Sequence, residues 1–350
     1  MLVTMVEQDS LTLTEDEAAL YDRQIRLWGL DAQKRLRAAK VLLVGIGGLG
    51  AEVAKNIVLS GIKSLTILDH QQVTEAARCS QFLIDHTAHL GHNRALSSLE
   101  RTQLLNPMVS VSADAADVAD KPDDFFRSFD VICATCCSEQ QLLRINDLCR
   151  ANGSLFFAGD VFGYYGYMFA DLNQHEFAEE VQQKVKAVAD AGDGDGEPAA
   201  KRSKHSATET VTVKKTMTFT HLKDALTIDW TAEGMAKKAK KTPDTYFITR
   251  VLMEFCKVHK RAPRVSSLES DKEALTKLRH SLLTALAVDE SLVPQDFVNF
   301  CFAELSPVCA VVGGVLGQEI IKAVSQRDAP HNNFFFYNGV NGSGMVDLLC

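Results

Sequence analysis

The sequence predicts an α/β protein built on a doubly wound, mostly parallel sheet of the Rossmann-like type, with a helical insertion and a disordered loop. Short, wholly apolar runs such as Val41–Val44 are typical of strands buried on both faces. These runs alternate with segments of helical periodicity, which favours parallel strands joined by helical crossovers. A glycine-rich turn, GIGGLG at 45–50, joins the first run to the helix that follows it.

The predicted elements begin with a helix that opens on a capping box, in which Thr14 is the N-cap and Glu17 reaches back. This helix runs to about Gly29, and a second short helix follows. The elements predicted after Gly29 are helix Asp31–Ala39, strand Val41–Val44, helix Ala51–Ser60, strand Leu65–Leu68, helix Asn93–Leu105, strand Asp130–Thr135, helix Gln140–Ala151, strand Leu155–Ala158 and strand Gly166–Ala170. The first two strands and the helix between them form a complete βαβ unit.

The composition changes near residue 181, where a polar stretch begins. Residues 187–210 have almost no large apolar side chain, so this stretch cannot bury enough surface to offset chain entropy and is predicted to be disordered. Helical periodicity resumes between Pro243 and Ala303. We therefore expect residues 1–175 and 305–350 to build one α/β domain, with residues 176–304 as a helical insertion.

The C-terminal segment returns the chain to the α/β domain. Ser306 is the predicted N-cap of a long apolar helix with Pro307 at its first position, ending near Ser325. Two strands, Phe334–Tyr337 and Met345–Leu349, follow around a turn.

Charge and hydropathy exclude several classes of function. The net charge of −8 disfavours nucleic acid as a partner, because binding to nucleic acid depends on clustered Lys and Arg. The longest apolar stretches, Val41–Val44 and Val308–Leu316, are too short or too interrupted by glycine to span a bilayer, so no membrane partner is expected. The acidic N-terminus does not resemble a secretory signal, which leaves the cytosol or the nucleus as the expected location.

The nine cysteines predict neither a disulfide framework nor a metal site. An odd number of cysteines in an intracellular chain argues against paired disulfides. Cys133 and Cys136 have the spacing of half a zinc site, but the sequence contains no second such pair. A buried strand in which Cys133 acts as a small apolar side chain is the favoured interpretation.

The glycine turn has the spacing of a phosphate-binding loop, with Gly45, Gly47 and Gly50 in the pattern GxGxxG. Such loops let backbone N–H groups approach a phosphate at a helix N-terminus. Asp69 ends the second strand, where an acid can accept a hydrogen bond from a ribose hydroxyl. From these residues alone, an NAD-dependent oxidoreductase and a glycine turn kept only for packing both remain open.

Longer motifs resemble the adenylating domains of ubiquitin-like-protein activating enzymes, which have the ThiF/MoeB-type fold, and in particular the branch that activates SUMO. The matching segments are YDRQIRLWG at 21–29, KVLLVGIGGLGAEVAKN at 40–56, LDH at 68–70, GDVFGYYGYMFADL at 159–172 and the stretch from SPVCAVVGG to FFFYNG at 306–339. The resemblance implies that ATP adenylates the C-terminal glycine of the modifier, and that a cysteine thiolate then takes the acyl group. It also implies two pseudo-symmetric domains, of which one is active.

The resemblance further implies that this chain is the inactive half. Active members carry Asn, Asn and Arg where this chain has Ala77, Cys79 and Ser80, and Lys where it has Arg94. The positions of the magnesium-binding Asp and of a further Arg are Cys137 and Glu139. The glycine loop, Gly45, Gly47, Gly48 and Gly50, together with Asp69, is therefore expected to be vestigial and unoccupied. ATP and Mg²⁺ are expected in a larger partner subunit that carries the thioester cysteine.

Arg23 is the one residue to which the resemblance gives a catalytic role. It matches an arginine that reaches from the inactive half into the ATP site of the partner, as an arginine finger does. From the residues alone, a surface arginine paired with Asp22 or Glu17 is the alternative. Cys256 lies in a helical pattern and is predicted to be structural rather than a thioester nucleophile.

The resemblance implies a nuclear location, with the cytoplasm as a second one. The basic residues of AKRSKH, Lys201, Arg202 and Lys204, are either a nuclear import signal or part of a solvated linker. The functions that remain as alternatives are a self-sufficient adenylating enzyme of the MoeB/ThiF type, an NAD-dependent oxidoreductase, and a scaffold subunit that makes no catalytic contact.

Overall fold

The computed structural model describes residues 14–184 and 208–350, and the fold is a doubly wound α/β sheet. Its parallel strands are β1 Lys40–Val44, β2 Ser64–Leu68, β3 Ser110–Asp114, β4 Val131–Thr135 and β5 Leu155–Phe162; its antiparallel strands are β6 Tyr165–Asp171, β9 Phe334–Asn338 and β10 Ser343–Asp347. The strand order is β10-β9-β6-β5-β4-β1-β2-β3. The predicted fold class is confirmed.

The helices surround this sheet and fill the insertion. They are α1 Glu15–Leu20, α2 Asp22–Trp28, α3 Leu30–Ala38, α4 Gly48–Leu59, α5 His86–His89, α6 Arg94–Leu105, α7 Asp123–Phe126, α8 Glu139–Asn152, α9 Leu222–Leu226, α10 Met235–Ala239, α11 Asp244–His259, α12 Leu268–Ala285 and α13 Ser306–Ser325. The predicted capping box at Thr14 and Glu17 is present. The single helix predicted from there to about Gly29 is two helices, α1 and α2, that meet at Tyr21, and Gly29, with φ +89°, is the C-cap of α2. α4 begins three residues before the predicted Ala51, because the glycine turn itself supplies its first residues.

The central strands are buried on both faces, as their apolar sequences predict. In β1, Leu42 and Val44 belong to the core that packs against the insertion helices. Val41 and Leu43 belong to the core on the opposite face, which α4 and α13 cover. Cys133 of β4 is fully buried in that second core, where it behaves as the small apolar residue expected.

α13 is a core helix. Its N-cap is Leu305 and Ser306 is already helical, so the predicted N-cap is off by one position. By length and composition α13 could cross a membrane, but it packs closely against α4. A Cβ added at Gly313 would lie 2.5 Å from the Cβ of Glu52, and one at Gly317 would lie 2.7 Å from the Cβ of Asn56. Burial against α4 and the sheet therefore explains its apolar sequence.

The insertion begins as a β-ribbon rather than as helices. β7 Gln174–Lys184 pairs with β8 Thr208–Thr218 in antiparallel register. The stretch predicted to be disordered extends three residues too far, because 208–210 already pair with the end of β7. Its remaining residues, with the basic residues Lys201, Arg202 and Lys204, lie in 185–207, outside the described residues. The sequence TETVTV has the alternation of residues that is typical of a β-strand. The prediction of disorder came from the polar composition of the stretch and did not use this alternation.

Candidate functional site

The glycine loop lies at the point where the strand order reverses. It connects β1 to α4, and β1 lies between β2 and β4 in the sheet. Ligands of doubly wound folds bind in the crevice at this point, beyond the carboxyl ends of the strands. A cleft of about 1230 Å³ is present here, lined by residues that follow β2 and β4, such as His70 and Cys136, by Ser80 and Glu304 beside the loop, and by residues of the insertion between 256 and 266.

Two glycines of the loop are required by the backbone of this chain itself. Gly45 has φ +84°, and a Cβ there would lie 2.4 Å from the carbonyl oxygen of Thr135. A Cβ at Gly50 would lie 2.2 Å from the carbonyl oxygen of Gly45. These approaches are shorter than van der Waals contact, so both positions need glycine whether or not a ligand binds.

The other two glycines make room for side chains of this chain. A Cβ at Gly47 would lie 2.8 Å from a carboxylate oxygen of Glu304, and one at Gly48 would lie 2.5 Å from the Cβ of Ser80. Ser80, which the family resemblance predicts to stand in place of a phosphate-binding residue of active members, is buried. Part of the space beside the loop is thus occupied from within the molecule.

Glu304 accepts hydrogen bonds from the backbone N–H groups that the loop would otherwise offer to a phosphate. Its carboxylate accepts hydrogen bonds from the N–H groups of Gly48, at 2.8 Å, and Leu49, at 3.2 Å. These are the first two residues of the twelve-residue helix α4, whose N-terminal amides have no partner within the helix. Sequence reasoning missed Glu304, because it lies 256 residues from Gly48 and belongs to no local motif.

Asp69 is also engaged by its own chain. It is buried, and its Oδ2 accepts hydrogen bonds from Ile46 N–H at 2.8 Å and from Arg94 Nε at 2.8 Å. Its Oδ1 accepts one from Gln71 N–H at 2.9 Å. The carboxylate that would bind a ribose hydroxyl is therefore neutralised by Arg94 and bonded to the loop. Arg94 is held against Asp69 in a buried ion pair with a shortest distance of 2.6 Å.

Asp160, Glu304 and Cys136 form a cluster at the floor of the cleft. One potential ligand atom from each residue lies within 4.8 Å of the others. Burial, together with the charge of Glu304, raises the pKa of Asp160 to about 7. Burial also raises the pKa of the Cys136 thiol. The cluster does not have the character of an open cation site, because Glu304 already accepts two N–H bonds and the guanidinium of Arg94 lies close by.

Residues 77–82 hold the glycine loop in place and do not supply a positive charge to it. Gln81 donates to the carbonyl oxygen of Ile46 at 2.7 Å and accepts from Leu83 N–H at 2.7 Å, which fixes the loop from below. Arg78 is exposed, with Glu75 at 3.7 Å as its ion partner. Arg78 and the exposed Cys79 are not among the described residues that line the cleft.

The thiols that line the cleft within the described residues are partly or fully buried and are not activated. Burial raises the pKa of the Cys137 thiol, which lies where the family resemblance predicts a magnesium-binding Asp in active members. Burial likewise raises the pKa of Cys256 and of Cys301 to about 12. Because the thiolate is the reactive form, these three residues are inert at neutral pH. Cys256 lies in α11, where its helical pattern predicted a helix, and its structural role stays a prediction.

Arg23 lies on the outside of the molecule, on α2, and it is exposed. Neither predicted acidic neighbour pairs with it, since Asp22 binds Arg26 at 3.0 Å and Glu17 binds Arg37. Within the described residues Arg23 has no ion pair. Leu27, one turn further along the same face of α2, is 74% exposed. Arg23 is thus a cation on a partly apolar surface, and the structure does not support the surface-pair alternative.

Comparison with known proteins identifies the family. The ThiF family matches residues 21–348. Proteins named SUMO-activating enzyme subunit 1 from Xenopus tropicalis, Danio rerio and Homo sapiens are 53%, 52% and 50% identical to the chain, and each alignment covers 99% of both chains. A crystal structure of E. coli MccB with succinimide matches with a TM-score of 0.51 and 12% identity, over 94% of this chain and 71% of that chain, which is a likeness of fold. The resemblance inferred from the motifs is confirmed, and the chain belongs to the ThiF family.

Proposed function

We propose that this chain is the non-catalytic subunit of a heterodimeric SUMO-activating enzyme, and that it supports adenylation of the modifier in its partner. The observation that carries the proposal is that the chain's own residues occupy the glycine-loop site. Glu304 accepts hydrogen bonds from two N–H groups of the loop. Asp69 accepts hydrogen bonds from Arg94 and from two further N–H groups. The names of its close relatives supply the modifier and the existence of another subunit.

The electrostatics of the cleft argue against adenylation in this chain. Phosphoryl and adenylyl chemistry needs positioned cations around the phosphates and hard oxygen ligands for Mg²⁺. The corresponding positions here are a neutral thiol, Cys137, and a carboxylate, Glu139. Arg94, which lines the same cleft, is bound to Asp69. ATP and Mg²⁺ therefore belong to the proposed partner, which also carries the thioester cysteine, and this chain binds no cofactor.

Arg23 is the proposed catalytic contribution of this chain. An arginine is always charged and presents a planar set of donors suited to phosphate oxygens. Arg23 is free to make such a contact because its acidic neighbours are already paired. In the proposed heterodimer it reaches the ATP bound to the partner. The complex acts in the nucleus and also in the cytoplasm, and it uses neither nucleic acid nor membrane.

The two other enzyme classes have weaker support. A self-sufficient adenylating enzyme of the MoeB/ThiF type needs a free loop and a magnesium ligand, and the cleft offers a filled loop and Cys137. An NAD-dependent oxidoreductase needs Asp69 for the ribose, and Asp69 is saturated. A scaffold subunit without catalytic contact remains distinguishable from the proposal by experiment.

The test is ATP–pyrophosphate exchange by the heterodimer, prepared by co-purifying the chain with its larger partner. Arg23→Ala should slow exchange by about 10- to 100-fold, the value of one charge-assisted hydrogen bond. Arg26→Ala removes the same charge from the same helix and should leave exchange unchanged. Both variants should still form the heterodimer. Equal exchange by wild type and Arg23→Ala would reduce the chain to a scaffold, and ATP turnover by the isolated chain would refute the proposal as a whole.

A further inference from the structure

We propose that Glu304 is a built-in anion that occupies the phosphate seat of the glycine loop, and that this side chain keeps nucleotide out of the cleft. We define the phosphate seat as the space in front of the N–H groups of Gly48 and Leu49. Anions are stabilised at a helix N-terminus by these unpaired donors and by the helix dipole. The carboxylate of Glu304 lies there at 2.8 and 3.2 Å from the two nitrogens, in the manner of a bound phosphate.

The backbone around Glu304 holds it in place. Gly163 N–H donates to the carbonyl oxygen of Ala303 at 2.6 Å, and Tyr164 N–H donates to that of Phe300 at 2.7 Å. Gly163 adopts φ +59°, and a Cβ there would lie 2.1 Å from the Phe300 carbonyl oxygen. The segment that carries Glu304 is thus fastened to the turn between β5 and β6. The backbone that carries Glu304 is therefore held next to the loop, and its carboxylate lies at the seat.

The location of Glu304 also connects two parts of the chain. The residue stands between the helices of the insertion and α13, two residues before α13 begins. Its carboxylate bonds to the first turn of α4, against which α13 packs. A nucleotide phosphate entering the seat would have to displace this link. An internal contact between the insertion and the α/β domain therefore stands where a nucleotide phosphate would otherwise bind.

The surrounding charges reinforce the exclusion. Asp160 lies beside Glu304, and burial, together with the charge of Glu304, raises the pKa of Asp160. Arg94, which lies close to this pair, is bound to Asp69. A phosphate at the seat would therefore meet Glu304 and Asp160. The other cations of the cleft, among them Lys260 and Arg264, belong to the insertion rather than to the loop. Removing Glu304 should leave two unpaired N–H groups at the start of α4, and these would donate hydrogen bonds to a polyphosphate.

The first experiment measures binding of inorganic pyrophosphate, without magnesium, to the isolated full chain by its melting temperature. Wild type should show no shift, whereas Glu304→Ala should rise by a degree or more with increasing pyrophosphate. Glu304→Ala/Asp160→Asn should rise further, because the remaining carboxyl group is gone. Glu139→Ala removes a charge from the same cleft without touching the loop and should behave as wild type. Folded variants that gain no pyrophosphate binding would overturn the inference, and so would a wild-type chain that binds pyrophosphate equally well.

A second measurement does not require the variants to fold. Amide hydrogen exchange of the unmodified chain should show Gly48 and Leu49 to be protected, although the first amides of a helix have no partner within it. Exchange of both at the rate of unprotected amides would overturn the inference. The inference rests on the proposed function only in placing no nucleotide in this chain. Both experiments use the chain without a partner, so their failure is distinct from a failure of the Arg23 exchange assay.

Discussion

The glycine-loop cleft and the outer surface of α2 satisfy their charged groups in opposite ways. Beside the loop, Asp69 is paired with Arg94 and accepts a hydrogen bond from Ile46 N–H. Glu304 accepts a hydrogen bond from Gly48 N–H. On α2, the neighbouring acids pair with other arginines, and the exposed Arg23 has no ion pair within the described residues. The charged groups beside the glycine loop are thus engaged within the chain, whereas Arg23 remains exposed at its surface. This is the contrast that the proposed function predicts for a subunit whose nucleotide lies in its partner.

The largest effect on stability should come from Arg94→Leu. This variant leaves the buried carboxylate of Asp69 without its cation, and breaking a buried ion pair costs about 3–5 kcal/mol. Urea denaturation of the isolated chain would measure the loss. Arg101→Leu is the control on the same helix, because its partner Asp85 is half exposed and its loss should cost less than about 1 kcal/mol. Equal costs would show that the cleft is not an internally saturated structure.

The second prediction concerns pH and Asp160. The folded protein holds the Asp160 proton up to a pKa of about 7, whereas the unfolded chain releases it near 3.8. Asp160 therefore lowers the free energy of unfolding as pH rises between these values, by up to about 1.4 kcal/mol per pH unit. Asp160→Asn should remove this component, so its stability relative to wild type should increase from pH 4 to pH 7. A constant difference across the window would contradict the raised pKa.

The third prediction tests whether the loop glycines serve packing. Gly50→Ala would place a Cβ 2.2 Å from a backbone oxygen that cannot move freely, so it should destabilise the chain by about 1–3 kcal/mol. Gly314→Ala, in α13, has no atom within 4 Å of the new Cβ and should stabilise by up to about 1 kcal/mol. The two substitutions are chemically identical and both lie in helices. A Gly50→Ala chain as stable as Gly314→Ala would remove the packing argument.

The fold was largely predictable because its signals are local. The apolar run of β1, the glycine turn and the capping box at Thr14 each lie within a few residues of sequence. The edge strand β3, Ser110–Asp114, was missed because its polar, partly exposed residues resemble a loop. The ribbon of β7 and β8 was missed because its two strands are separated by the polar stretch.

The candidate site was predictable only in part. The motif located the glycine loop and Asp69, and the family resemblance singled out Arg23. Glu304 escaped because the pairing of a carboxylate with amides 256 residues away depends on tertiary structure alone. The same holds for Arg94, whose sequence neighbours do not reveal that it binds Asp69. Long-range polar contacts of this kind decide whether a loop binds a ligand or its own chain.

The smallest expected effect gives the sharpest contrast with Arg94. Arg23→Ala should change the free energy of unfolding of the isolated chain by no more than about 0.5 kcal/mol, because the side chain is exposed and its acidic neighbours are paired elsewhere. Urea denaturation beside Arg94→Leu would measure both. A large loss of stability would mean that Arg23 supports the fold, and slower exchange in the heterodimer would then be a structural consequence. A negligible loss joined to slower exchange, with the heterodimer still formed, would show that the guanidinium contributes to the exchange reaction and not to the fold of its own chain.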